Sequence, residues 1–168
     1  MRTRLQTPLL KISRQPDILR ADCWRKVLAC LVLLIVACST THAREPQPKL
    51  ATINVEINDV SLEVEVAATG LERNRGLSYR KHLDSDAGML FVYQQERPLI
   101  FTMRETSIPL SIAFISADLV INEIHKMEPW ATQNYPSKIQ AQYALEVNQG
   151  WFERNGIKAG DRIKLLRE

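Results

Sequence analysis

Cysteine is missing from residues 44–168; all three in the chain, Cys23, Cys30 and Cys38, lie in the first 43 positions. A body without cysteine can hold no disulfide, thiolate nucleophile or cysteine–zinc site, so packing alone must stabilise it, which about 120 residues can supply. Histidine is almost as scarce. His82 and His125 are the only two in that stretch, and no H-x-x-x-H or H-E-x-x-H spacing occurs. His125 alternates with Glu123 on an expected strand, but two ligands seldom hold a metal, so a solvated strand face is the favoured reading. The nucleophile elbow G-x-S-x-G and any glycine-rich phosphate loop are absent too, which leaves serine-hydrolase and nucleotide chemistry without a signature. No metal and no cofactor is expected.

Positive charge is scarce where nucleic acid would need it. The formal net charge of the chain is +3. Residues 1–43 hold seven Lys and Arg against Asp17 and Asp22, whereas the other 125 residues hold 15 basic and 17 acidic groups. The basic excess therefore belongs wholly to the leader. Binding to phosphate backbones draws on clustered Lys and Arg, and the mildly acidic body has no basic stripe, so no nucleic-acid partner is expected.

One long apolar run is present, residues 27–37 (VLACLVLLIVA), directly after Arg25-Lys26. Crossing a bilayer takes about 20 residues, so this run has the size of a signal-peptide core rather than a membrane span. Ile35-Val36-Ala37-Cys38 resembles a bacterial lipobox, and Ser39 resembles the outer-membrane sorting pattern. The expectation is an exported lipoprotein with acyl chains on Cys38, anchored in the outer membrane and facing the periplasm. Each buried methylene contributes about 0.8 kcal/mol to such an anchor. Thr41-His42-Ala43 offers an alternative, cleavage after Ala43 to free a soluble periplasmic protein. An uncleaved anchor is a third reading. The 26 residues before the apolar core are long for a basic leader, which suggests initiation downstream of Met1. Residues 44–50 (REPQPKL) hold two prolines and read as a tether to a single domain over 51–168.

Within the body, residues 52–57 and 60–67 alternate cleanly, with Asn58-Asp59 between them as a two-residue hairpin turn. Thr69 is placed to cap a short helix running through Leu77. Strands are expected at 88–93, 99–103, 110–116, 119–127, 143–147 and 162–166. Residues 128–140 have no period and two prolines, and read as a long loop. A second short helix spans 150–155, with Trp151 and Phe152 expected in the core and Trp130 and Tyr135 left open. Mostly short strands with two small helices predict a β-rich α+β domain, a β-sandwich or partly closed barrel.

The polar candidates for a site are Arg75, Arg80, Arg104, Thr106, Glu146 and Asn148. Arg104-Glu105-Thr106 interrupts two apolar runs, and Glu146 sits inside the apolar run 143–147. A carboxylate within such a strand faces solvent or pairs with a guanidinium. One reading is an arginine-lined cleft for an anionic or hydroxyl-rich small molecule. The favoured one is an Arg–Glu pair clamping the sheet, since alternation alone puts Glu146 on an outer face. Asp84, Asp86, Glu105 and Glu146 could converge for acid–base chemistry, although their spacing does not argue for it.

Four blocks, 69–80 (TGLERNRGLSYR), 88–93 (GMLFVY), 101–115 (FTMRETSIPLSIAFI) and 141–163 (AQYALEVNQGWFERNGIKAGDRI), resemble the family known as domain of unknown function 192. They occur in the family's order and span nearly the whole body. The resemblance implies one β-rich domain, often behind a signal peptide, and implies no activity. Against the family pattern, Ser78 stands where Met is usual, Thr102 for Trp, Glu105 for Asn and Ser111 for Asp. The expected role is a binding or accessory module of the cell envelope acting on a small molecule or an envelope partner. The alternatives are a carboxylate- and arginine-dependent hydrolase and a structural protein without a small ligand.

Overall fold

The alternation in the first two strands is reproduced residue by residue. In a computed structural model that describes residues 45–166, β1 (Thr52–Ile57) pairs antiparallel with β2 (Val60–Ala67), from Ile57 opposite Val60 outward. Asn58 and Asp59 take φ values of 51° and 64°, the left-handed pair that a two-residue hairpin requires. Thr69 then caps α1 (Gly70–Arg75) through a full capping box with Glu72. Such a cap contributes about 1 kcal/mol. Gly76, at φ 47°, ends the helix.

Six more strands complete the main body: β3 (Ala87–Arg97), β4 (Ile100–Thr102), β5 (Leu110–Ile115), β6 (Ile121–Met127), β7 (Asn134–Pro136) and β8 (Ala141–Asn148). The helix α2 (Trp151–Arg154) and β9 (Ile163–Leu166) follow. Seven strands form one sheet in the order β6-β5-β8-β3-β2-β1-β9, and β4 pairs with β7 in a small second sheet. Only β2 and β3 run parallel, and α1 lies in the crossover that joins them. The large sheet curls until its outer strands meet. Val120 bridges Arg162, and backbone bonds of 2.8–2.9 Å join Leu119 and Ile121 to Gly160–Ile163. Of the two expected architectures this is the partly closed barrel.

Each face of the curled sheet carries its own apolar cluster, because side chains alternate between the faces. The inner cluster holds Val55, Ile57, Val64, Leu90, Leu145 and Val147, and α2 inserts Trp151 and Phe152 into it. These two rings meet edge to face at 5.5 Å. The opposite face holds Met89, Phe91, Leu110, Ile112, Phe114 and Ala144. A second layer built from Leu77, Leu83, Leu99, Phe101, Met103 and Ile108 covers it. Phe101 of β4 links the two layers, 4.9 Å from Phe91 and 5.8 Å from Phe114.

Two expectations change. Residues 128–140 are not wholly loop, since β7 forms there by pairing with β4, Tyr135 opposite Phe101. Residues 45–50 are not a free tether. The Gln47 side-chain amide donates to the Gly76 carbonyl at 2.8 Å, and the Leu50 amide donates to Glu65 at 2.8 Å. The exposed carbonyls at the end of α1 and the buried carboxylate of β2 both need donors, and this segment supplies them. The expected signal segment, with Cys38 and Ala43, lies outside the described residues.

Candidate functional site

The covered face of the sheet carries two buried acidic side chains. Glu65, Met89, Glu146, Ile112 and His125 stand in one row across five adjacent strands. Glu65 and Glu146 are both buried there. They differ in what they meet.

Glu65 receives Arg80 in a two-pronged ion pair, with contacts of 2.5 and 2.7 Å, in addition to the Leu50 amide. Burial opposes its ionisation most, but the Arg80 and Leu50 hydrogen bonds with the charges of Arg80 and Lys49 together outweigh that and hold its pKa below the usual value. The sequence reading offered an arginine clamp for Glu146. The arginine clamps Glu65 instead. Lys49, Asp84 and Asp86 lie around Glu65 in a smaller cavity of about 230 Å³. The acids there are partnered: Glu63 with Lys49, Asp84 with His82, Asp86 with the Trp151 indole.

Glu146 has no such partner. Among the described residues nothing hydrogen-bonds or ion-pairs with its carboxyl, and burial alone pushes its pKa up to about 8. The expected outer position by alternation is correct as to face, but the second layer covers that face, so Glu146 is buried. Its backbone is packed as tightly: a Cβ added at Gly88 would come 2.6 Å from the Glu146 carbonyl oxygen.

What Glu146 does meet is a cavity of about 420 Å³ between α1, the turn after it, the end of β3 and β4. Arg73, Arg75 and Arg97 line it, with Tyr93, Thr106 and Ser78. The Arg73 guanidinium donates to the carbonyls of Ala68 and Val92 and lies 4.6 Å above the Tyr93 ring. Arg75 donates to the Glu45 carbonyl at 2.8 Å. Arg97 is exposed and, among the described residues, its guanidinium makes no hydrogen bond or ion pair. The side chains of Thr106 and Tyr93 likewise bond to none of them. Thr106 and Glu146 are almost wholly buried, yet no sealed side-chain oxygen or nitrogen lacks a partner among the described residues. Their oxygens therefore open onto the cavity.

Tyr93 responds to charges of both signs around this space. Burial raises its pKa, Arg73 and Arg97 lower it, Glu146 raises it, and the net direction is up. The cavity thus brings together guanidinium groups, a single carboxyl and hydroxyl groups.

Of the residues proposed from sequence, the cavity unites Arg75, Thr106 and Glu146. Arg80 serves Glu65, Arg104 is exposed with its guanidinium on the Thr132 carbonyl, and Asn148 donates to the carbonyls of Leu83 and Asp84. Arg73, Tyr93 and Arg97 were missed. The signal available was a tyrosine and an arginine four residues apart at the end of the apolar run 88–93, on the strand that pairs with Glu146. Asp84, Asp86 and Glu105 do not line this cavity, so the four acids considered together do not converge. Ser78 and Thr102, two departures from the family pattern, do line it. Glu123 and His125 bond to each other at 2.6 Å beside Phe114. No group of three potential metal ligands is present among the described residues.

Curled sheet, covering layer and cavity define a β-rich domain with one arginine-rimmed site over a sheet face. The chain belongs to DUF192, a family described as Uncharacterized ACR, which it matches over residues 52–165. Solved structures agree. A protein of Sinorhizobium meliloti 1021, described as a candidate transcription regulator, is 32% identical with a TM-score of 0.68, covering 71% of this chain and 97% of its own. A protein of unknown function from Novosphingobium aromaticivorans DSM 12444 is 29% identical with a TM-score of 0.66, covering 75% and 94%. No curated protein matches this chain.

Proposed function

We propose that this is an exported envelope protein, anchored through acyl chains on Cys38, whose domain binds a small oxygen-rich anion in the arginine-rimmed cavity. One observation carries the binding half. Arg97, Tyr93, Thr106 and Glu146 line a single cavity, and among the described residues the side chains of all four lack a hydrogen-bond partner. For the two buried ones, Thr106 and Glu146, an unsatisfied polar group is expensive unless a ligand or water completes it. Guanidinium and hydroxyl groups together suit carboxylate or phosphate oxygens. The cavity holds one carboxyl, whereas glycoside hydrolysis needs two about 5–10 Å apart, so binding is favoured over hydrolysis. The candidate regulator from Sinorhizobium suggests DNA, but a body with 15 basic and 17 acidic groups does not favour it.

The test is a thermal-shift screen of organic acids, sugar acids and sugar phosphates against wild type, Arg97→Ala and Arg104→Ala. A ligand at a hundredfold excess over its dissociation constant stabilises by about 2.7 kcal/mol. The shift should vanish in Arg97→Ala and persist in Arg104→Ala, whose side chain lies outside the cavity. Equal shifts in all three proteins would defeat the assignment. For the anchor, Cys38→Ala should move the protein from the membrane pellet to the soluble periplasmic fraction. A wild-type chain recovered from cytosol would defeat export.

A further inference from the structure

The one acid lining the cavity is buried and has no cation beside it. Its cross-strand neighbours, Met89 and Ile112, are apolar. The titratable groups that share the cavity are Arg73 and Arg75 from α1 and Tyr93 and Arg97 from β3, while β4 and Thr106 contribute none. Further along the row, Glu65 is engaged by Arg80, and His125 lies beyond Ile112, bonded to Glu123. No guanidinium compensates Glu146, so an ionised carboxylate there would need a cation brought by the ligand.

We infer that Glu146 engages its ligand as an uncharged acid, donating its O–H to a hydroxyl or carbonyl oxygen of a hydroxylated anion whose charged end sits at Arg97. This rests on the binding function proposed above and names the ligand class. Three features favour it over a zwitterion carrying an ammonium group. An ammonium would have to lose its water and also displace a proton that burial holds on the carboxyl, with a pKa near 8. The other unpartnered groups in the cavity, the Arg97 guanidinium and the Tyr93 and Thr106 hydroxyls, are all able to donate, and a protonated Glu146 completes a set of donors. Finally, an anion entering between the arginines would be repelled by an ionised Glu146 and accepted by a neutral one.

The consequence is a site that closes to its anion as Glu146 loses its proton. Tyr93 titrates above the ordinary tyrosine value and arginine stays charged, so of the groups lining the cavity only Glu146 changes charge between about pH 7 and about pH 9. Sodium gluconate is a suitable probe because its own charge is constant over that range. Isothermal titration of the full chain in detergent should show gluconate binding about tenfold more weakly at about pH 9 than at about pH 7. Glu146→Gln, which keeps a donor and cannot ionise, should bind gluconate within a few-fold of wild type at both pH values.

Affinity that is flat or rises with pH in wild type overturns the inference, as does loss of binding in Glu146→Gln. So does tighter binding of γ-aminobutyrate than of gluconate. A matched titration with inorganic phosphate separates the two levels. If phosphate binds in an Arg97-dependent way and gluconate does not, the anion site stands and the role of Glu146 falls. If neither probe binds at either pH, both fall together.

Discussion

Glu65 and Glu146 occupy the same face of the same sheet, two strands apart in one cross-strand row, and are 5% and 4% exposed. Their proton affinities nevertheless move in opposite directions. The difference is the partner. Arg80 and a backbone amide return to Glu65 the polar contacts that burial removed, and Glu146 receives nothing from the protein. A buried charge that is compensated holds a fold together, and one that is left open is available to a ligand. Equal burial therefore does not mean equal role.

Removing one partner should break the comparison most severely. Arg80→Ala leaves Glu65 buried without its cation and is expected to cost about 3–5 kcal/mol at neutral pH. Because Glu65 has a lowered pKa in the fold, its contribution is present above the ordinary value of 4.5 and disappears as pH falls through its folded value. The cost of the substitution should shrink in the same acidic window. Urea unfolding at several pH values checks this, and a cost independent of pH would argue for lost packing instead.

Glu146→Gln should act in the opposite sense. A raised pKa means that stability is complete below about 4.5 and is lost as pH rises toward about 8. Replacing the acid by a group that does not ionise should stabilise the protein by roughly 3 kcal/mol at about pH 7, more at about pH 9, and not at all at about pH 4. The same unfolding series reads it. A destabilised variant at alkaline pH would show that Glu146 is compensated after all.

Smaller effects sharpen the contrast. Thr69→Ala removes the capping box of α1, the helix that carries Arg73 and Arg75, and should cost about 1 kcal/mol, with some loss of affinity at the cavity. Lys49→Ala breaks an ion pair with Glu63 whose side chains are largely exposed, and should change stability by less than about 0.5 kcal/mol. Thermal melts suffice for both. A large effect of Lys49 would mean that it acts on Glu65 rather than on Glu63.

Much of the fold was legible. Alternation defined β1 and β2, the Asn58-Asp59 pair defined their turn, and Thr69 with Glu72 marked the start of α1. Trp151 and Phe152 were rightly placed in the core. These features depend on neighbours within a few residues, so local sequence carries them. The strand β7 was not legible, because three residues ending in Pro136 become a strand only when β4 lies alongside. Nor were the pinned residues 45–50, whose hydrogen bonds reach α1 and β2 across 15 to 29 positions.

The candidate site divides in the same way. From the chain alone came the residue types, an acid inside an apolar strand and arginines around it, and the face of the sheet on which that acid would stand. A period of two says which side chains share a face, but it says nothing of what lies above that face. Only the folded chain lays Leu77, Leu99 and Phe101 over Glu146, sends Arg80 to Glu65, and leaves a cavity where a second clamp could have been. Burial and partnership arise between segments far apart in sequence, and these two quantities decide whether a carboxyl is a strut or a site.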